Sequence, residues 1–181
     1  MRTLLLYRED GPLARALGRS NPFAPSLLLV IAVLPLAVAI VLGERSDGAV
    51  AAVFAWLIAL GGLSRGSDLE SDRFRWTVPP LLRAGEYAAI IWLAPAAGLA
   101  LLVVLAFHHY DIVYRLRYRP PAPLALGGGW DTRLIAAWIL LVAGALPEGF
   151  YAGAGILGAL FVAECVASWH KFDEQTQGDA E

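Results

Sequence analysis

Residues 78–107 read VPPLLRAGEYAAIIWLAPAAGLALLVVLAF, and the fold turns on whether this stretch is one helix or two. As one helix, the uninterrupted run from Ala84 to Phe107 spans ~36 Å at 1.5 Å per residue, enough for a single tilted membrane crossing. As two, it is a hairpin of thin spans, about 77–93 and 97–114, turning at Ala94-Pro95-Ala96-Ala97-Gly98. Charge arbitrates, because cytoplasmic loops collect Lys and Arg. Two helices here make six spans in all. With a cytoplasmic N-terminus, all of the 14 Lys and Arg residues except Arg45 then lie inside. One helix would move Arg115, Arg117, Arg119, Arg133 and Lys171 outside. The expected fold is therefore all-α: a polytopic inner (cytoplasmic) membrane protein with six transmembrane helices and both termini cytoplasmic.

Composition agrees. Hydrophobic residues make up 58% of 181 residues and charged residues only 17%, against ~45–50% and ~25% in an ordinary soluble domain. With a net charge of −2 and apolar residues in blocks, a soluble enzyme, a disordered chain and a nucleic-acid binder are all disfavoured. The single cysteine, Cys165, permits no intramolecular disulfide. The opening Met1–Arg8 is too short an apolar run for a signal peptide, so insertion is expected to rely on the internal spans.

Working outward from 78–107, the other spans are expected at about 26–43, 49–64, 132–146 and 150–169. Residues 1–25 form a cytoplasmic amphipathic segment, 26–169 the membrane domain, and 170–181 a disordered acidic tail. Asp10-Gly11-Pro12 reads as a helix start, with Asp as the cap and Pro in the first turn. Leu13, Ala14, Ala16 and Leu17 alternate with Arg15 and Arg19, which suits a short helix lying on the membrane surface. Gly127-Gly128-Gly129 lacks the lysine and Ser/Thr of a phosphate loop and reads as a flexible hinge. Gly153, Gly155 and Gly158 suit close helix packing. Trp76, Tyr110, Tyr114, Tyr118, Trp130 and Trp169 form an aromatic belt at the inner interface.

The residues that carry chemistry are the charges placed too deep. A charge at a helix centre costs ~2.5–3.5 kcal/mol on insertion scales, and less near the ends. Arg83, Glu86, His108, His109, Asp111, Asp131, Arg133 and Glu164 all fall at the cytoplasmic ends of their spans. His108, Asp111 and Arg115 share a face at i, i+3 and i+7, and Arg83 and Glu86 are i, i+3 neighbours on the preceding helix. If the hairpin packs antiparallel, both sets face one cavity. The candidate catalytic residues are His108, Glu86 and Asp111. Asp111 and Glu86 are also candidate ligands for Mg²⁺ or Mn²⁺, and Arg83 and Arg115 are candidate phosphate binders. The alternatives are neighbouring ion pairs that ease insertion, or interhelical polar contacts. His109 is expected to face away from His108, at the headgroup level. Asp68 and Asp72, at i and i+4, read as a solvated helix start or a metal pair.

Four segments carry a resemblance: Asp10–Gly18, Val78–Tyr87, His109–Arg115 and Gly129–Arg133. From Arg8 to about Trp169 the chain resembles an actinobacterial membrane domain family of unknown function. In that family the domain often follows nucleotidyltransferase-like and CDP-alcohol phosphatidyltransferase domains. The resemblance implies a membrane location and a link to phospholipid headgroup synthesis. It also implies membrane lipid, and a protein of one of those two kinds, as partners. The phosphatidyltransferases carry the motif D-x2-D-G-x2-A-R-x8-G-x3-D-x3-D. Asp10-Gly11-Pro12-Leu13-Ala14-Arg15 matches its D-G-x2-A-R part, but Tyr7 stands at the first aspartate position and Ala24 at the later glycine. Two expectations follow: an accessory subunit, or a divergent metal-dependent transferase. A small membrane transporter or structural membrane subunit is the alternative from another class.

Overall fold

A computed structural model of the protein describes residues 7–67, 72–118 and 126–178. Its helices are α1 (Pro12–Leu17), α2 (Pro25–Leu42), α3 (Asp47–Leu63), α4 (Val78–Leu93), α5 (Pro95–Tyr118), α6 (Trp130–Val142) and α7 (Leu146–Gly178), with a 3-10 turn at Arg75–Thr77 before α4. Among the described residues the only β pairing is an isolated bridge between Asn21 and Ser67.

The stretch 78–107 is two helices. Ala94 is extended (φ −147°, ψ 92°), as a residue before proline prefers, and Pro95 opens α5 where its missing N–H costs nothing. The same logic places Pro25 at the start of α2 and Pro79-Pro80 in the first turn of α4. Pro35 lies within α2 without ending it. Gly43 closes α2 in the left-handed region (φ 69°), its N–H reaching the Ala39 and Ile40 carbonyls. α7 continues to Gly178, so the stretch after His170, expected to be disordered, is helical that far. It holds no Gly or Pro before Gly178 to stop it. Residues 179–181 of the expected tail lie outside the described residues.

The six longer helices pack as a closed circuit, α2–α3–α6–α7–α5–α4 and back to α2, with α4 also meeting α6 across the middle. Leu29, Leu36, Leu57, Leu82, Ile90, Leu105, Leu134 and Phe161 fill the interior. On α7, Gly153 and Gly158 face Leu101 and Val104 of α5, whereas Gly155 faces open space.

The outside is apolar. Leu34, Val38 and Val41 on α2, Leu99 and Val103 on α5, and Ile156, Val162 and Val166 on α7 are exposed. Soluble monomers rarely show such large apolar surfaces. Among the described residues three helices are long and apolar enough to cross a membrane: α2, α5 over Pro95–Arg115 and α7 over Leu146–His170, with mean hydropathies of 2.8, 1.7 and 1.8. α3 is apolar but shorter.

α1 forms where the sequence places it, but it is not a free surface helix. Arg8, Glu9, Asp10, Gly11 and Ala14 are buried, and Leu17 packs against Gly62 of α3. The cap also differs. Asp10 turns inward, and the α1 N-terminus is capped by Asp131 of α6. Its Oδ1 accepts from the Gly11 N–H (2.7 Å), and its Oδ2 from Leu13 and Ala14 (2.8 and 2.9 Å). A buried carboxylate 120 residues away thus serves the orphan amides, because Asp10 is taken by arginines.

Candidate functional site

The buried charged residues gather at one end of the bundle, where the N-termini of α4 and α6 meet the C-terminal parts of α3, α5 and α7. Glu9 stands at the centre. Its backbone is left-handed (φ 49°), which costs a non-glycine residue roughly 1–2 kcal/mol. What holds it there is its carboxylate. Oε1 lies 3.0 Å from His108 Nε2 and 3.2 Å from Arg133 Nη1. Oε2 lies 2.8 Å from His109 Nε2, 3.0 Å from Arg133 Nη2 and 3.3 Å from Arg83 Nη1. Burial alone raises the Glu9 carboxyl's pKa. Arg133, the two histidines and Arg83 outweigh burial and hold it well below the ordinary carboxylate range.

The second carboxylate of this network is Glu86, fully buried. It accepts from Arg133 Nε through Oε1 and from Arg83 Nη1 (3.1 Å) through Oε2. Arg83 also donates to the Tyr7 carbonyl (2.9 Å) and Arg133 to the Gly127 carbonyl (3.1 Å). Two carboxylates therefore meet two guanidiniums, and the formal charges cancel. His109 is bracketed by Glu9 and the Tyr87 hydroxyl, and His108 stacks on Phe161 with ring centroids 3.8 Å apart. His109 does not face away to the headgroups. Adjacent helical residues diverge by about 100°, and Glu9 fits between the two rings.

Beside this network, Asp10 receives Arg8 (2.9 Å), Arg65 (2.7 Å) and the Trp130 indole N–H (3.0 Å). Burial raises its pKa, and Arg8, Trp130 and Arg65 together bring it below the usual value. Arg8 is spent further on Ser64 and the Gly61 carbonyl.

Asp111 and Arg115 belong to a different group. Arg115 pairs with Asp111 (Nε–Oδ2, 2.7 Å) and with Glu164 of α7 (Nη1–Oε1, 2.8 Å). Arg115 Nε and Nη2 sit at ion-pair distance without aligned hydrogen bonds; the short separations still make them attractive contacts. Cys165 Sγ lies 3.7 Å from Asp111 Oδ1.

Of the residues singled out by spacing, the structure joins Glu86, Arg83 and His108 through Glu9 and Arg133, while Asp111 and Arg115 pair with Glu164. Glu86 and Asp111 thus take different partners. Among the described residues no three His, Cys, Asp or Glu side chains group as a metal site. Asp72 spends both oxygens on the backbone N–H groups of Ser26 and Phe74 (2.8 Å each), and Asp68 lies outside the described residues. The cavity beside the Glu9 network holds only about 100 Å³ and is lined by Tyr7, Pro79, Arg83, His109, Ile112 and Val113.

Spacing did not reveal Glu9. It belongs to no periodic pattern, and its only signal was its place before Asp10-Gly11-Pro12. The triple glycine is also more specific than a hinge. Gly127, Gly128 and Gly129 all have positive φ, and a side chain on Gly129 would strike the Gly11 backbone. The run is a fixed turn that lets residues 9–11 approach.

Among the described residues, the fold and this site define an all-helical protein with helices long and apolar enough to cross a membrane and a buried ion network at one end. The chain belongs to the family of unknown function DUF5941, whose sequence profile matches residues 2–180. No curated protein and no solved structure matches it.

Proposed function

We propose that the chain is a six-span protein of the inner (cytoplasmic) membrane, with both termini cytoplasmic, acting as an accessory subunit in phospholipid headgroup synthesis. The observation that carries the accessory reading is the closure of the Glu9–Arg133–Glu86–Arg83 network. A transferase needs carboxylate lone pairs free for a metal ion or a substrate proton. Glu86 instead meets Arg133 and Arg83, and Asp111 meets Arg115. The link to headgroup chemistry rests on the resemblance to domains that follow nucleotidyltransferase-like and CDP-alcohol phosphatidyltransferase domains, and a protein of either kind is the proposed partner. The six-span reading is supported by the alternation of polar helix ends and by the placement of Lys and Arg.

Two measurements test this. A reporter active only outside the cytoplasm is expected to be active when inserted at Ser46 and silent when fused after Glu181. An active C-terminal fusion would overturn the topology. Purified protein given CDP-diacylglycerol, candidate alcohols and Mg²⁺ or Mn²⁺ is expected to release no CMP by itself. Release that Asp111→Asn abolishes would replace the accessory reading with that of a divergent transferase using Asp111, Glu86 and His108.

A further inference from the structure

We propose that the seat of the Glu9 carboxylate is an oxyanion site suited to a phosphate group, and that Glu9 is its internal ligand, which such a group displaces. This goes beyond the accessory reading by naming a ligand class, and it does not depend on that reading, because a site made of N–H donors needs no free carboxylate. The donors are Arg83 of α4, His108 and His109 of α5 and Arg133 of α6, whereas Glu9 comes from the segment before α1.

Each donor is supported by something other than Glu9. Glu86 orients both guanidiniums, and the Gly127 carbonyl also accepts from Arg133. Phe161 stacks on His108, and the Tyr87 hydroxyl sits on His109 Nδ1. A carboxylate only accepts, so His109 carries a proton on Nε2 and aims it at the seat. The cradle thus has its own supports on three helices, and the strain falls on the ligand. Among the described residues, Glu9 is the one non-glycine with positive φ.

The fit favours phosphate over a carboxylate. Each carboxylate oxygen has two lone pairs. Glu9 Oε2 has three nitrogens around it, from His109, Arg133 and Arg83, and Arg83 is the most distant at 3.3 Å. A phosphate brings a third oxygen for Arg83, and the paired N–H groups of Arg133 fit phosphate oxygens as they fit a carboxylate. Room and access lie on the same side. Arg83 and His109 line the cavity of about 100 Å³. They are also the most exposed of the four donors, at 14% and 12% of their side chains.

The experiment is a titration of the detergent-purified full chain with inorganic phosphate at constant ionic strength, read by the thermal midpoint. In Glu9→Gly the seat loses its internal ligand and residue 9 loses its strain. That variant is expected to bind phosphate at least about tenfold more tightly than the parent, where a tethered carboxylate competes at an effective concentration near millimolar. The parent also corrects for the general stabilisation that phosphate gives folded proteins. Adding Arg83→Gln to Glu9→Gly is expected to weaken binding about tenfold. Asp131→Ala, which frees residues 11–14 and removes none of the four donors, is expected to fall between the parent and Glu9→Gly. Short-chain phosphatidic acid separates the sources: tighter binding than inorganic phosphate assigns a membrane headgroup, and equal binding assigns free phosphate. Equal phosphate affinity in Glu9→Gly and the parent overturns the oxyanion site. Binding by Asp131→Ala no tighter than the parent's overturns the displacement of Glu9. Circular dichroism matching the parent establishes that each variant is folded, and Glu9→Gln, which keeps the side chain's size without its charge, repeats the comparison independently. The CMP assay above reads the accessory proposal separately, and neither of its outcomes alters this titration.

Discussion

Replacing Arg133 with methionine is expected to destabilise the protein by about 3–5 kcal/mol, the usual result of removing one partner from a buried ion network. Arg133 touches both oxygens of Glu9 and one of Glu86. Without it, two buried carboxylates face each other with Arg83 as their main cation. For a chain of this size, such a loss lowers an apparent unfolding midpoint by about 6–20 °C, measurable by thermal unfolding in detergent or nanodiscs. Glu86→Gln in the same chain removes one of the stranded charges. The double variant should therefore lose less than the sum of the two single variants. A midpoint within a degree or two of the parent would show that the network does not hold the bundle together, and would favour groups kept ionised for chemistry. Arg115→Met is the informative contrast. Glu164 is more exposed than Glu9 or Glu86, so solvent screening discounts that pair and the expected loss is smaller.

The second large effect is local. Asp131→Ala is expected to strand the amides of Gly11, Leu13 and Ala14, at roughly 1–3 kcal/mol for each buried group left unsatisfied. The segment can escape that cost by leaving its place, so α1 should detach while α2–α7 stay packed. Amide hydrogen exchange reads this directly. Protection at Leu13 and Ala14 should fall at least about tenfold, with little change at Leu57 or Ile90. Asp131→Asn keeps one carbonyl oxygen and should fall between the alanine variant and the parent. Unchanged protection at residues 11–14 in Asp131→Ala would show that packing against Gly62, not the carboxylate, holds α1.

The helix limits were legible because prolines, glycines and charge placement act locally. Pro95 begins one helix directly after another ends, and the placement of the arginines had pointed to a break there. The gathering of deep charges at one end was legible for the same reason. Their partners were not. From His108 to Asp111 is three residues, about 300° of helical turn, so Asp111 points about 60° away from His108. Arg115, seven residues on, returns to within about 20° of His108 but lies about 10 Å further along the axis, so His108 meets Glu9 and Phe161 while Arg115 meets Glu164. A shared face in sequence extends along a helix, and separate groups of partners can divide its length. Glu9 was hidden for another reason. Its role depends on a left-handed backbone and on a glycine turn more than a hundred residues away, and no local pattern encodes either.

The distance along the chain between Glu9 and Arg133, 124 residues, also has a meaning in time. Chains grow at ~5–20 residues per second, so Arg133 emerges about 6–25 s after Glu9. Through that interval residues 9 and 10 have their carboxylates and no α6 to receive them. Helices α2–α5 are therefore made before the segment that precedes them can take its place. Here the order of synthesis and the order of assembly run opposite, since residues 9–14 wait for Asp131 and Arg133 of α6.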